Sequence, residues 1–127
     1  MKQARNPESV HEPVGRYVHQ IEVSGESRLL FISGQLGIDS NGDVPRQPEK
    51  QFEVALRNVL RNVEAAGFLP TDVVKLTTYV VADIDRAARR AALDGAFGEH
   101  MTTSTLIYVP RLAAPEYLVE VEAWASR

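Results

Sequence analysis

Leu118-Val119-Glu120-Val121-Glu122-Ala123-Trp124-Ala125, close to the C-terminus, reads as a β-strand with carboxylates at alternate positions among apolar neighbours. Residues two apart in an extended strand share a face, so Glu120 and Glu122 stand with Leu118 and Trp124 on one side of the sheet. A carboxylate beside an apolar surface is costly unless something pairs with it. That face is therefore a candidate for a partner, a ligand or catalysis.

Working back from this strand, residues 103–109 and 73–81 are rich in β-branched residues and predict two more strands. Between them Asp83 or Asp85 can cap a helix running to about Phe97, with Ala87, Ala88, Ala91, Ala92 and Ala96 allowing close packing. Over residues 51–66, Phe52, Ala55, Leu56, Val59, Leu60, Val63 and Ala66 recur at intervals of three and four, and Gly67 supplies a stop. Residues 17–23 alternate, with Tyr17, His19, Ile21 and Val23 on one face, and residues 29–32 follow after Ser24-Gly25-Glu26-Ser27, which is a hairpin signal. Residues 35–38 suggest a further short strand closed by a turn at Asn41-Gly42. Helices of this length between strands imply crossover connections, so the pattern predicts an α+β domain over residues 1–127, a mixed β-sheet with both helices on one face.

Composition narrows the function. A chain of 127 residues with 44% hydrophobic and 24% charged residues fits one globular domain without a linker. The first twenty residues hold Lys2, Arg5, Glu8, His11, Glu12 and Arg16 and no apolar run, and no later segment approaches the roughly 18 apolar residues of a membrane span, so a cytoplasmic protein is expected. With no cysteine there is no disulfide, thiolate nucleophile or Cys-based metal site. A net charge of -3 gives no general attraction to a phosphate backbone. The cations Arg57 and Arg61 on the first helix, and Arg86, Arg89 and Arg90 on the second, read as solvated helix faces rather than an RNA track. His11, His19 and His100 do not stand at metal-ligand spacings. No phosphate-binding loop, dinucleotide fingerprint or nucleophile elbow occurs, and no cofactor or metal is implied.

Gly15-Arg16-Tyr17, Phe31-Ile32-Ser33-Gly34-Gln35, the helix from Gln51 to Gly67, Asp72-Val73-Val74-Lys75 and the closing Val119-Glu120-Val121-Glu122-Ala123 occur in an order and spacing that resembles the Rid family of reactive intermediate deaminases, also called the YjgF or endoribonuclease L-PSP family. The resemblance runs nearly end to end. It implies a chorismate-mutase-like fold assembled as a homotrimer whose inward sheet faces form a barrel, with a small-molecule cleft at each subunit interface. In deaminating members an imine or enamine of an amino acid is hydrolysed to a keto acid and ammonia. An arginine in a Pro-Ala-Arg-Ser motif holds the substrate carboxylate there, and a glutamate of the last strand positions or activates water.

Carried over position by position, the glutamate corresponds to Glu120, while Tyr17, Ser33 and Gly34 fall in the cleft. Glu122 is expected to be a structural ion-pair partner. The arginine position is Ser104, within Thr102-Thr103-Ser104-Thr105; the asparagine of many relatives falls on Ala91, and the loop before Ser104 is shorter. A serine leaves a neutral hydroxyl where a fixed cation stood. Arg16, beside Tyr17, is the better substitute, because Arg111 lies beyond Pro110 near the strand end. The resemblance then implies a homotrimer that hydrolyses a C=N or related bond with Glu120, on a substrate other than the usual 2-imino acids. Two alternatives stay open at this point: a non-catalytic binding or sensing protein using the same cleft, and an endoribonuclease, which the acidic charge disfavours.

Overall fold

The computed structural model describes residues 1–127. Its centre is the strand that the alternating carboxylates mark. In chain order the elements are β1 (Lys2–Arg5), β2 (Gln20–Val23), β3 (Leu29–Leu36), α1 (Pro48–Ala65), β4 (Val73–Val80), α2 (Arg86–Phe97), β5 (Thr103–Tyr108) and β6 (Val119–Ser126). The main sheet runs β3-β6-β4-β5, with β6 antiparallel to both its neighbours and β4 parallel to β5. The parallel pair requires a crossover, and α2 supplies it.

Alternation along β6 decides the packing. Val119, Val121, Ala123 and Ala125 are buried beneath the helices, whereas Glu120, Glu122 and Trp124 point to the opposite face. Phe52, Ala55, Leu56, Val59 and Val63 form the buried stripe of α1 and meet this row together with Ile32, Val73, Leu76 and Val80. Pro48 begins α1, a position where its missing N–H costs nothing, so the helix starts three residues before the predicted one. Asp85 is the residue that caps α2: its carboxylate accepts the Ala88 N–H at 2.9 Å.

Two polar side chains of α1 tie the helix to the sheet. Gln51 is fully buried; its amide nitrogen donates to the carbonyls of Pro45 and Glu116 at 2.8 Å each, and its oxygen accepts the Leu118 N–H at 2.8 Å. Asn58 donates to the carbonyls of Leu36 and Ile38 at the end of β3. The close approach requires Gly37, because a Cβ there would lie 2.6 Å from the Gln51 Cβ.

The expected hairpin between residues 17–23 and 29–32 does not form. β2 pairs instead with β1, Lys2 opposite Val23, and β3 pairs with β6, Leu29 opposite Ser126. The two strands that adjoin in sequence thus belong to different sheets. Residues 29–32 and 35–38, read as separate strands, are largely one strand interrupted by a β-bulge: from Ile32 to Gln35 the chain advances three residues while β6 advances two. Lys2 pins the β1-β2 ribbon to the body by donating to Asp72 at 2.8 Å and to the Ser126 carbonyl at 2.8 Å.

No helix is long and apolar enough to cross a membrane. The helix-free face of the sheet exposes large apolar side chains: Leu29 is 61% exposed, Phe31 62% and Trp124 52%, with the Phe31 and Trp124 rings edge to face at 5.0 Å. Water on these rings is unfavourable in proportion to their area.

Gln51→Leu should lower stability by about 2 kcal/mol or more, because it strands the buried Leu118 N–H and two carbonyls without partners; chemical denaturation of both proteins measures this. At Asp72, burial opposes ionisation, but the Lys2 hydrogen bond, the Leu69 N–H and the charges of Lys2 and Arg127 outweigh it and hold the carboxyl below its usual value. The folded pKa is depressed, so its stabilising contribution is full above the unfolded carboxylate range near pH 4 and is lost as pH falls through the folded pKa. Asp72→Asn should therefore flatten the acid limb of the stability profile, which melting from pH 2 to pH 7 reads directly.

Candidate functional site

The bulge in β3 sets one half of the site. It lifts Ser33 and Gly34 out of register beside Glu120, which pairs with Leu36 on one side and Tyr79 on the other. Gly34 makes room for the Glu120 carboxylate: a Cβ at this position would overlap it and force the carboxylate to move. Among the side chains, nothing donates a hydrogen bond to Glu120 and no cation stands within ion-pair distance. Glu122 differs: it accepts the Tyr79 hydroxyl at 2.6 Å. That bond, with burial and the charges of Glu122 and Glu120, raises the Tyr79 pKa above its ordinary value. Tyr79 is a site-side residue that the sequence reading missed; its place opposite Glu120 in the β4-β6 register is what brings it there.

The other half lies between α2, β5 and the loop before β2. Arg16, Tyr17 and Ser104 line a cavity of about 470 Å³ there, with Val80, Ile84 and Leu106 among its apolar walls. The Tyr17 hydroxyl accepts the Val14 N–H at 3.2 Å, which leaves its proton free to be donated. Tyr17 also packs edge-on to His19, with ring centres 5.5 Å apart. Arg16 is buried: its Nε donates to Asp94 at 2.6 Å and its Nη2 to the Gly98 carbonyl. Its guanidinium is thus already held by this chain.

Of the residues singled out in the sequence, Tyr17, Ser104 and Arg16 come together, and Ser33, Gly34 and Glu120 come together, but the two groups line different surfaces. Ala91 lies in the groove between the helices with Leu60 and Gly95, away from Ser104. The α2 residues that face the Ser104 cavity are Arg86, Arg89, Arg90 and Leu93. Their spacing of three and four was the available signal, since such positions share one helix face. Arg111 is exposed beyond β5 and does not line the cavity. His100 is engaged structurally, its Nε2 lying 2.7 Å from the Val73 carbonyl. Nowhere do three His, Asp or Glu side chains converge to hold a metal ion.

Comparison with known proteins places these features in a family. The family model described as endoribonuclease L-PSP matches residues 8–127. A RutC family protein of Pyrococcus horikoshii is 32% identical over 129 residues, spanning 100% of this chain and 99% of the relative. The 2-iminobutanoate/2-iminopropanoate deaminase of Escherichia coli is 32% identical over 124 residues, 94% of each chain. Among solved structures, YyfB of Yersinia pestis, a Rid-family protein described as of unknown function, superposes with a TM-score of 0.85 at 34% identity over 98% of this chain and 97% of that one. With the sheet order, the two helices on one face and this end-to-end similarity in agreement, the chain belongs to the endoribonuclease L-PSP family, which includes the Rid and RutC proteins.

Proposed function

We propose that this chain is a deaminase-type hydrolase that opens the C=N bond of an imine or enamine, on a substrate other than the usual 2-imino acids. The observation that carries the reading is the unengaged carboxylate of Glu120. It is half-buried, held against the Ser33-Gly34 bulge and free of ion pairs, while its neighbour Glu122 is occupied by Tyr79. A general base needs such an open acceptor within reach of the proton it takes. The deaminase name of the Escherichia coli relative supports the same reaction class.

In this reaction Glu120 takes a proton from water as the oxygen adds to the imine carbon. The carboxylic acid passes that proton to the nitrogen, giving a carbinolamine. Glu120 then takes the hydroxyl proton and delivers it to the amine as the C–N bond breaks, so both protons of the water leave on ammonia and its oxygen remains as the carbonyl. Tyr17, with its hydroxyl proton available, donates a hydrogen bond to the ligand. Ser104 offers a neutral hydroxyl and does not restore the fixed cation that the usual 2-imino acids meet in deaminating relatives.

The reading includes a homotrimer. Its support is the helix-free face with Phe31 and Trp124 exposed, and the separation within one protomer of the Ser33-Glu120 corner from the Ser104 cavity. Packing sheet faces together covers the rings, and an interfacial cleft brings the corner of one protomer to the cavity of another.

Ammonia release from imines generated freshly from a panel of amino acids tests the chemistry. Glu120→Gln should lower kcat by about a hundredfold or more while ligand affinity persists, and Gly34→Ala should lower it by displacing the carboxylate. Unchanged turnover in Glu120→Gln removes the proposed base, and ligand binding without any turnover in wild type favours a binding or sensing protein. Assembly is tested separately: light scattering should give three times the monomer mass, and Trp124→Glu should shift the population to monomer. Because Trp124 is the sole tryptophan, its emission should move to longer wavelength on dilution below the association range.

A further inference from the structure

The cavity beside Ser104 contains more positive charge than the fold uses. Arg86, Arg89 and Arg90 stand on one face of α2 and border it. Like charges three and four residues apart destabilise an isolated helix, so this arrangement costs stability unless something offsets it. The nearby acids are otherwise engaged. Asp94 pairs with Arg16, Asp85 caps α2 through the Ala88 N–H, and Asp83 lies close enough to Tyr108 to raise the pKa of its hydroxyl. Arg86 donates to the Val14 carbonyl at 2.9 Å. Arg89 and Arg90 have no carboxylate within ion-pair distance. Arg89 is half-buried, where a bare guanidinium attracts an anion more strongly than in open water.

We propose that this cavity binds the anionic headgroup of a small organic acid or phosphate ester through Arg89 and Arg90, with the ligand's short apolar body against Leu93 and Leu106. Two planar guanidinium forks match the oxygens of a carboxylate or a phosphate, and the hydroxyls of Tyr17 and Ser104 can complete its hydrogen bonds. The cation that the family resemblance led one to seek at position 104 is thereby supplied from α2, displaced in space, which selects an acid of different length or orientation. This deepens the proposed function by naming the substrate class, and it rests on that reading only for the identity of the site. The anion binding itself needs no turnover.

Butanoate and propyl phosphate, which share a short apolar tail and differ in headgroup, serve as probes in calorimetric titrations of the full chain. At least one should bind once per chain, and its affinity should fall roughly tenfold or more in Arg89→Gln/Arg90→Gln. The pair Arg57→Gln/Arg61→Gln, which removes the same charge from α1, should bind like wild type. Arg89→Lys, which keeps the charge and loses the fork, should fall between. Whichever probe binds more tightly identifies the headgroup. Binding of neither probe, equal affinity in wild type and Arg89→Gln/Arg90→Gln, or an equal loss in the α1 control overturns the proposal. Arg90 is exposed and Arg89 half-buried, and a melting temperature near that of wild type establishes that the fold is intact. Glu120→Gln separates the two readings: probe binding that survives in this variant, with or without imine turnover in wild type, supports the anion site independently of the base. Turnover that depends on Glu120 but is indifferent to Arg89→Gln/Arg90→Gln in both KM and probe affinity overturns the anion site alone.

Discussion

The period-2 alternation of β6 is the constraint on which the rest of the structure depends. Because β6 lies between β3 and β4, each of its residues must satisfy two neighbouring strands as well as a face. Its small and β-branched residues, Val119, Val121, Ala123 and Ala125, let α1 approach closely, and its large or charged ones are forced to the other side. A one-residue slip would move Glu120 and Glu122 beneath α1 and Val121 to the surface. The burial penalty for two carboxylates makes that register untenable.

Gln51 turns this register into a position for the site. Its three hydrogen bonds join the loop before α1, the loop before β6 and the residue leading into β6, so the helix and the strand are tied together at the start of the strand that carries Glu120. Gly37 permits the contact by presenting only backbone to the helix. A few residues away the β3 bulge uses Gly34 in a similar manner, admitting the Glu120 carboxylate where a side chain would exclude it. Gly34 in β3 and Gly37 just beyond its end thus serve different ends, access to a carboxylate in one case and packing in the other.

The contrast between the two glutamates and between the arginines follows one physical rule. Each titratable group that has a fixed partner is a structural element: Glu122 with Tyr79, Arg16 with Asp94, Asp72 with Lys2. Glu120 and the Arg89-Arg90 pair have no such carboxylate or cation partner, and they border surface where a ligand can supply the missing hydrogen bonds. Such unpaired charge is destabilising in the empty protein and becomes favourable on binding.

The periodicity of the chain by itself determined which residues face inward. The stripe of α1, a cap for α2 at Asp83 or Asp85, the alternation of β6 and the mixed α+β character were all legible, because helix and strand periods are local properties of a dozen residues or fewer. The resemblance in motif order implied one cleft holding Tyr17, Ser33, Ser104 and Glu120, whereas within a protomer these residues line two surfaces. What only the tertiary structure decided was which segments meet. The apparent hairpin before residue 32 resolved into strands of separate sheets, since β3 gains more by pairing with β6 and covering its core face with α1 than by turning back on β2. The bulge at Ser33-Gly34, the engagement of Arg16 by Asp94 and the convergence of the α2 arginines on Ser104 were likewise settled in three dimensions. A local period specifies the face a side chain occupies; the partner across that face lies tens of residues away and is selected by packing and charge in the folded chain.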